Sequence, residues 1–224
     1  MPTGLQRQRD KARKAVLTPD EVAKLLAAAH DDVANGVYVA FPFLAGTRPS
    51  EQLGLLWDDV DFEANVVRIR RIQLRDGSLS EFTKTAAGRR SIPMSPLLRE
   101  MLLAWRVRCP RKDGKLERVF PTLGVARAWP LTRAGGGGPL IYGNFRKRFW
   151  TTTLKRVGLP AVTPHSARHS FISTLQAQGV EVGLVAKLAG HKNAVVTLSH
   201  YTHAMRGGED AVKALDRAYA GTGS

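Results

Sequence analysis

The chain has 224 residues, 43% of them hydrophobic, and its 34 Lys and Arg outnumber 19 Asp and Glu to leave a net charge of +15. This is enough apolar material for one good core, with no apolar run of about eighteen residues to span a membrane and no apolar stretch in the opening MPTGLQRQRDKARK to serve as a secretory leader, so the expected location is the cytoplasm. A lone cysteine, Cys109, excludes an internal disulfide and a Cys-based zinc site, and the charge excess favours a polyanion, nucleic acid first, over a membrane surface or a merely soluble basic protein.

In chain order, residues 1–15 hold Arg7, Arg9, Lys11, Arg13 and Lys14 with few apolar neighbours, the composition of a flexible basic arm or linker. The fold is expected to begin at LTPDEVAKLLAAAH, where Thr18, Pro19 and Glu21 suit N-cap, N1 and N3, and Val22, Leu25, Leu26 and Ala29 form a stripe. An apolar helix over 36–45 follows, then a short helix in TRPSEQLGLLWDDVD with Arg48 near its start. NVVRIRRIQL, LSEFTKT and RRSIPM, with turns at Asp76-Gly77 and Ala87-Gly88, predict one small antiparallel sheet. Helix returns from Ser95-Pro96 to Trp105. GGGG at 135–138 lacks the Lys-Ser/Thr of a phosphate-binding loop and reads as a flexible loop. YGNFRKRFWTTTLKRVG predicts one helix closed by Gly158, and further helices are expected over 164–178, 181–189, 194–203 and 208–220. The fold class is α+β, mainly helical with a small antiparallel sheet.

The chemistry concentrates in a few short stretches. In TPHSARHS, Thr163 as N-cap and Pro164 at N1 put His165 and Arg168 on one face of a helix's first turns, where unpaired N–H groups favour an anion. His165 and His169 also have the spacing of a zinc pair, but the glutamate of HExxH is missing and an arginine lies between them, so phosphate is preferred and no metal is expected. Arg48 and Glu51 allow a carboxylate to hold a guanidinium, or form a plain surface ion pair. Lys84 falls between strands, where on its own it reads as a solvated turn lysine. AGHKNAVVTLSHYTH supplies His191, on its own a helix-end cap, and Tyr201, on its own a half-buried aromatic.

AGTRPSEQLGLLWDDVD, TKTAAGRRSIPM, TPHSARHSFIS and LAGHKNAVVTLSHYTH, taken in order, resemble the first arginine box, lysine hairpin, His-x-x-Arg box and final His–Tyr box of the tyrosine recombinases, or phage integrases, over roughly residues 16–205. The resemblance implies the catalytic domain fold of that family and metal-independent, cofactor-free cleavage and rejoining of double-stranded DNA through a 3′-phosphotyrosyl link, for integration or excision. It casts Tyr201 as nucleophile, with Arg48, Lys84, His165, Arg168 and His191 assisting and Glu51 supporting the first arginine. The interval from His191 to Tyr201 is one residue longer than the family commonly has; Tyr38, Tyr142 and Tyr219, the other tyrosines, follow no Gly-His box. The N-terminal helical domain that usually completes the family's DNA clamp has no counterpart in this sequence.

The resemblance further implies a homotetramer on two DNA sites, with a DNA-bending accessory protein or directionality factor as possible partners. Residues 206–224 would form a tail that docks on a neighbour or on its own subunit. Arg68, Arg70, Arg71, Arg89, Arg90, Arg146, Lys147 and Arg148 are candidates to meet the DNA backbone, or to be solvated faces. Two rival functions are a type IB topoisomerase and a basic DNA-binding protein without catalysis.

Overall fold

The computed structural model describes residues 16–81, 88–127 and 132–191. Helix α1 (Pro19–Asp31) starts as the sequence predicts. Thr18 Oγ1 accepts the Glu21 N–H, and Glu21 Oε2 accepts the Thr18 N–H at 2.8 Å, which satisfies two of the donors left unpaired at a helix start. Its apolar stripe buries Leu25 and Ala29 against α2 (Gly36–Ala45).

Helix α2 is apolar all round and lies at the centre of the core, with every residue but Leu44 buried. Tyr38 stacks on Phe149 at 4.2 Å between ring centroids, meets Trp105 and Phe120 edge-on, and donates its hydroxyl to the Pro121 carbonyl. Pro42 interrupts the helix's own bonding: having no N–H, it leaves the Tyr38 carbonyl without its usual intrahelical partner. Gln52 supplies that partner, its Nε2 donating to Tyr38 O at 2.8 Å. One side chain thus repairs α2 and fastens α3 (Pro49–Leu53) to it.

The strands do not form the single sheet the sequence predicts. β1 (Val60–Asp61), β2 (Val66–Ile69) and β5 (Arg90–Pro93) make one antiparallel sheet in the order β1-β2-β5, while β3 (Arg71–Gln73) and β4 (Leu79–Glu81) form a separate hairpin. The divide falls at Arg70, where both arginines of the pair turn onto one buried carboxylate: Asp59 accepts from Arg70 and from Arg71, each at 2.6 Å. In the larger sheet the register is Val67 opposite Ile92 and Ile69 opposite Arg90, so the core face carries Val67, Ile69, Ile92 and Arg90.

Helix α4 (Pro96–Arg108), capped by Ser95, packs Leu98, Leu102 and Trp105 inward. A further hairpin, β6 (Val125–Arg127) and β7 (Thr132–Ala134), for which the sequence predicts no element, precedes the four glycines. The glycines after it are not a free loop. Gly135, Gly136 and Gly137 all have positive φ, and Thr122 N–H donates to Gly138 O while Gly137 N–H donates to Thr122 O, each at 2.9 Å. A Cβ on Gly137 would stand 2.4 Å from the Lys112 nitrogen, so only glycine fits.

The helix expected over 142–158 is three pieces: α5 (Tyr142–Phe145), a π-helical turn (Arg146–Trp150) and α6 (Thr151–Val157), ended by left-handed Gly158 as expected. The extra residue of the π turn accompanies the burial of Phe145, Phe149 and Trp150, with the Trp150 ring N–H donating to Val162 O. Helices α7 (Pro164–Ala177) and α8 (Val182–Ala189) pack on each other through Ile172, Val185 and Ala189. The elements expected over 1–15, 194–203 and 208–220, with Lys84 and Tyr201, lie outside the described residues.

Candidate active site

Helix α3 presents Arg48 at its N-cap with Glu51 one turn on. Glu51 Oε2 accepts the Arg48 backbone N–H at 2.8 Å and Oε1 accepts the guanidinium at 2.7 Å. Unlike the surface pair that the sequence allowed, the Glu51 side chain is fully buried and the Arg48 side chain 39% exposed. A buried carboxylate demands compensation on all sides, and its far side is held by Arg90, whose Nη2 donates to Oε2 at 2.8 Å and Nη1 to Oε1 at 3.2 Å. Burial alone would raise the Glu51 carboxyl, but the hydrogen bonds and charges of Arg90 and Arg48 together hold it below its ordinary 4.5.

Arg90 therefore does not reach the surface. Its side chain is 4% exposed and its Nε donates to Leu188 O at 2.7 Å, which removes it from the DNA-backbone contacts expected of it and places it behind Glu51. The alternation of β5 was the available signal: Arg90 shares a strand face with buried Ile92.

Helix α7 brings the next pair. The Arg168 side chain is buried at 2%, with Nη1 donating to Gly46 O at 3.0 Å and Nη2 lacking a hydrogen-bond partner among the described residues. The carbonyl that receives Arg168 belongs to the left-handed C-cap of α2, where a Cβ would stand 2.4 Å from the Phe171 ring. Glycine at 46 thus permits both the turn and the close packing of α2 on α7. Burial first, and then the neighbouring Arg48 charge, push the Arg168 guanidinium down to about 9, with Glu51 opposing and Arg90 adding to the shift. It stays protonated at neutral pH, beside a second cation and in a place that disfavours its charge.

His165 lies three residues earlier on α7 and lines, with Arg48, one cavity of about 570 Å³. Its ring meets His169 edge-on at 5.1 Å. The N-cap hydroxyl differs from expectation: Thr163 has extended backbone and its carbonyl accepts the Ser166 N–H, but its hydroxyl pairs with that of Ser166 rather than with a backbone N–H.

His191 follows the end of α8. Gly190 is left-handed, and the His191 N–H donates back to Ala186 O at 2.9 Å, the six-to-one bond of a Schellman cap, which fixes the chain direction as it leaves the helix. Arg48 Nη2 donates to Gly190 O at 3.3 Å. The starts of α3 and α7, the end of α8 and strand β5 thus converge around Glu51.

The remaining basic candidates divide by environment. Arg71 is 12% exposed and shares Asp59 with Arg70; Arg68 pairs with Asp61 at 2.6 Å and Arg89 with Glu81 at 3.2 Å. Arg146, Lys147 and Arg148 stand exposed on the π turn. Sequence reasoning missed Arg118, buried between Gln73 Oε1 (2.9 Å) and Gly77 O (3.1 Å), where it ties the β3–β4 hairpin to the body of the protein.

The chain belongs to the phage integrase family, whose match runs over residues 15–206. It is 32% identical over 206 residues to the transposase from transposon Tn916 of Enterococcus faecalis, covering 87% of this chain and 49% of that protein. It is 30% identical over 198 residues to the tyrosine recombinase XerD of Corynebacterium glutamicum, covering 84% and 56%. The chain spans about half the length of the curated relatives it matches. Among solved structures, the Tn1549 transposon integrase in complex with circular intermediate DNA superposes with a TM-score of 0.71 at 23% identity, over 94% of this chain and 68% of that one. The catalytic domain of bacteriophage HP1 integrase gives 0.54 at 22%, over 90% and 95%. Among the described residues no helix is long and apolar enough to cross a membrane.

Proposed function

We propose that this chain is the catalytic portion of a site-specific recombinase that cuts and rejoins double-stranded DNA, with the scissile phosphate held between Arg48 and Arg168. One observation carries this reading: two guanidinium groups far apart in the sequence meet beside one buried carboxylate, and one of them, Arg168, has an unpartnered Nη2 among the described residues. A phosphodiester is the complement of that arrangement. It is an anion with two non-bridging oxygens, and planar guanidiniums hold such oxygens by paired hydrogen bonds. As the phosphorus becomes five-coordinate these oxygens gain charge, so preorganised cations favour the transition state over the ground state.

In the proposed reaction the Tyr201 oxygen attacks the phosphorus and gives up its proton to His165, while the bond to the 5′ oxygen breaks and that oxygen takes a proton from Lys84. His191 donates a hydrogen bond to the phosphate. The product, a 3′-phosphotyrosyl ester and a free 5′-hydroxyl, conserves the bond so that another 5′-hydroxyl can reverse the step without an energy source. Two DNA sites held by four copies of the chain, with residues 206–224 linking neighbours, would let strands exchange partners. An accessory bending or directionality protein would set the outcome, in the cytoplasm where DNA is accessible.

The test is a suicide duplex selected from a randomised pool, scored for a covalent adduct on a denaturing gel. The wild-type chain forms the adduct and Tyr201→Phe does not, while both bind the duplex; an adduct of undiminished yield in Tyr201→Phe removes the nucleophile assignment. Relaxation of plasmids without any site requirement would instead support a topoisomerase.

A further inference from the structure

Beside the proposed phosphate cradle lies the cavity of about 570 Å³ that Arg48 and His165 share, and the rest of its lining is of a different character. One wall is the β3–β4 turn with Leu74 and Arg75; the other is the start of α5 with Ile141 and Tyr142. Leu74, Ile141 and Tyr142 are 43%, 38% and 41% exposed, an apolar group at the surface of a strongly basic protein. Among the described residues the lining includes Arg48, Arg75 and His165 and no acidic side chain.

The walls are also fixed in place. Gln73, which lines the cavity, donates its Nε2 to Leu140 O at 2.9 Å, and buried Arg118 donates to Gln73 Oε1 and Gly77 O. A Cβ on Gly77 would stand 2.9 Å from the Pro139 side chain, so the turn sits directly on the strand-to-helix connection. Buried, mutually satisfied polar bonds of this kind hold a cavity open at a set width.

An occupant that fits must offer apolar or aromatic surface together with negative charge. We infer that this cavity is a nucleoside subsite, which takes the sugar and base of one nucleotide adjoining the phosphate held at Arg48, with the Tyr142 ring and the Leu74 and Ile141 side chains against the base and Arg75 toward the next phosphate. The inference rests on the phosphate reading of Arg48 and deepens it. Continuity with the cradle and the charge of the lining select DNA as occupant. Aromatic and aliphatic contact with a base face is tolerant of sequence, so the subsite adds affinity and register rather than a code, and it requires the adjoining base to be at least partly unstacked.

The experiment compares two probes that share one diester: dimethyl phosphate, and the dinucleotide d(TpT). Binding to the full chain is followed by NMR titration, in wild type, Arg48→Ala, Tyr142→Ala and the Leu74→Ser/Tyr142→Ala double variant. Leu74 and Tyr142 are exposed, so their replacement leaves the core intact. The expected result is that d(TpT) binds roughly 5- to 150-fold more tightly than dimethyl phosphate, the range a single base stack contributes. Tyr142→Ala removes most of that gain without weakening dimethyl phosphate, and Arg48→Ala weakens both probes. Equal affinity for the two probes in wild type, or a d(TpT) gain untouched by the double variant, overturns the subsite while the phosphate cradle stands. Indifference of both probes to Arg48→Ala overturns the cradle, and the subsite with it.

Discussion

Arg48, Arg90 and Arg168 gather around one buried carboxylate, whereas Arg146, Lys147 and Arg148 stand in solvent on a π-helical turn. The two groups have the same formal charge and opposite energetics. In the first, Glu51 is enclosed by two guanidiniums, and Arg168 is held in a place where its charge is disfavoured, as the proposed phosphate site requires. In the second, water already solvates each cation, so an anion gains little from any one of them. On the proposed reading, charge serves chemistry where the fold removes water and general attraction where it does not.

Substitutions sharpen that contrast, and the largest effect is expected at Glu51. Glu51→Ala leaves buried Arg90 uncompensated and half-exposed Arg48 without its partner, and should cost about 3–5 kcal/mol of folding stability, read by urea denaturation. The acid limb follows from the same carboxylate. Its folded pKa lies below the ordinary 4.5, so its contribution is complete above that value and is lost as pH falls through the folded one. Wild type should lose stability steeply there, and Glu51→Gln should flatten that limb.

Arg168→Ala should slow adduct formation by roughly 100- to 1,000-fold, the effect of deleting one preorganised donor to an oxyanion. The companion Arg168→Met keeps the volume and discards a charge the fold disfavours. Its stability without DNA should match wild type within about 1 kcal/mol or exceed it, even as activity is lost. A melting series with and without DNA separates the two properties.

Much of this arrangement was legible in the sequence, for reasons that are local. Thr18-Pro19-x-Glu21 names a helix start from the capping geometry alone, and Thr163-Pro164 and Gly190 mark an α7 start and an α8 end that the structure keeps. Arg48, Glu51, His165 and Arg168 fall at such ends, where spacing predicts facing side chains. What escaped is long-range. The break of the sheet at Arg70 depends on Asp59 accepting from two arginines, and the ordered glycines at 135–138 depend on Thr122. Arg90 was placed with the DNA-facing cations because RR reads as surface charge; only its shared face with Ile92 and its pairing opposite Ile69 reveal that it points inward.

Smaller effects test the frame around the site. Gln52→Ala removes the donor that serves Tyr38 O where Pro42 has no N–H, and should cost about 1–3 kcal/mol of stability. Restoring an intrahelical donor by Pro42→Ala in that background should recover part of it. Smallest of all, single alanines at Arg146, Lys147 or Arg148 should leave the rate of adduct formation unchanged at saturating DNA. Each should lower the dependence of log affinity on log salt by roughly one, measured as binding isotherms across a salt series.

The most direct measurement is a double-mutant cycle on Arg48 and Arg168, read as single-turnover adduct formation on the selected suicide duplex. If both guanidiniums serve one phosphate, they act as a unit, and the double alanine variant will be little slower than the worse single one. If the two losses simply multiply, the arginines act on separate groups and the convergent phosphate site is wrong.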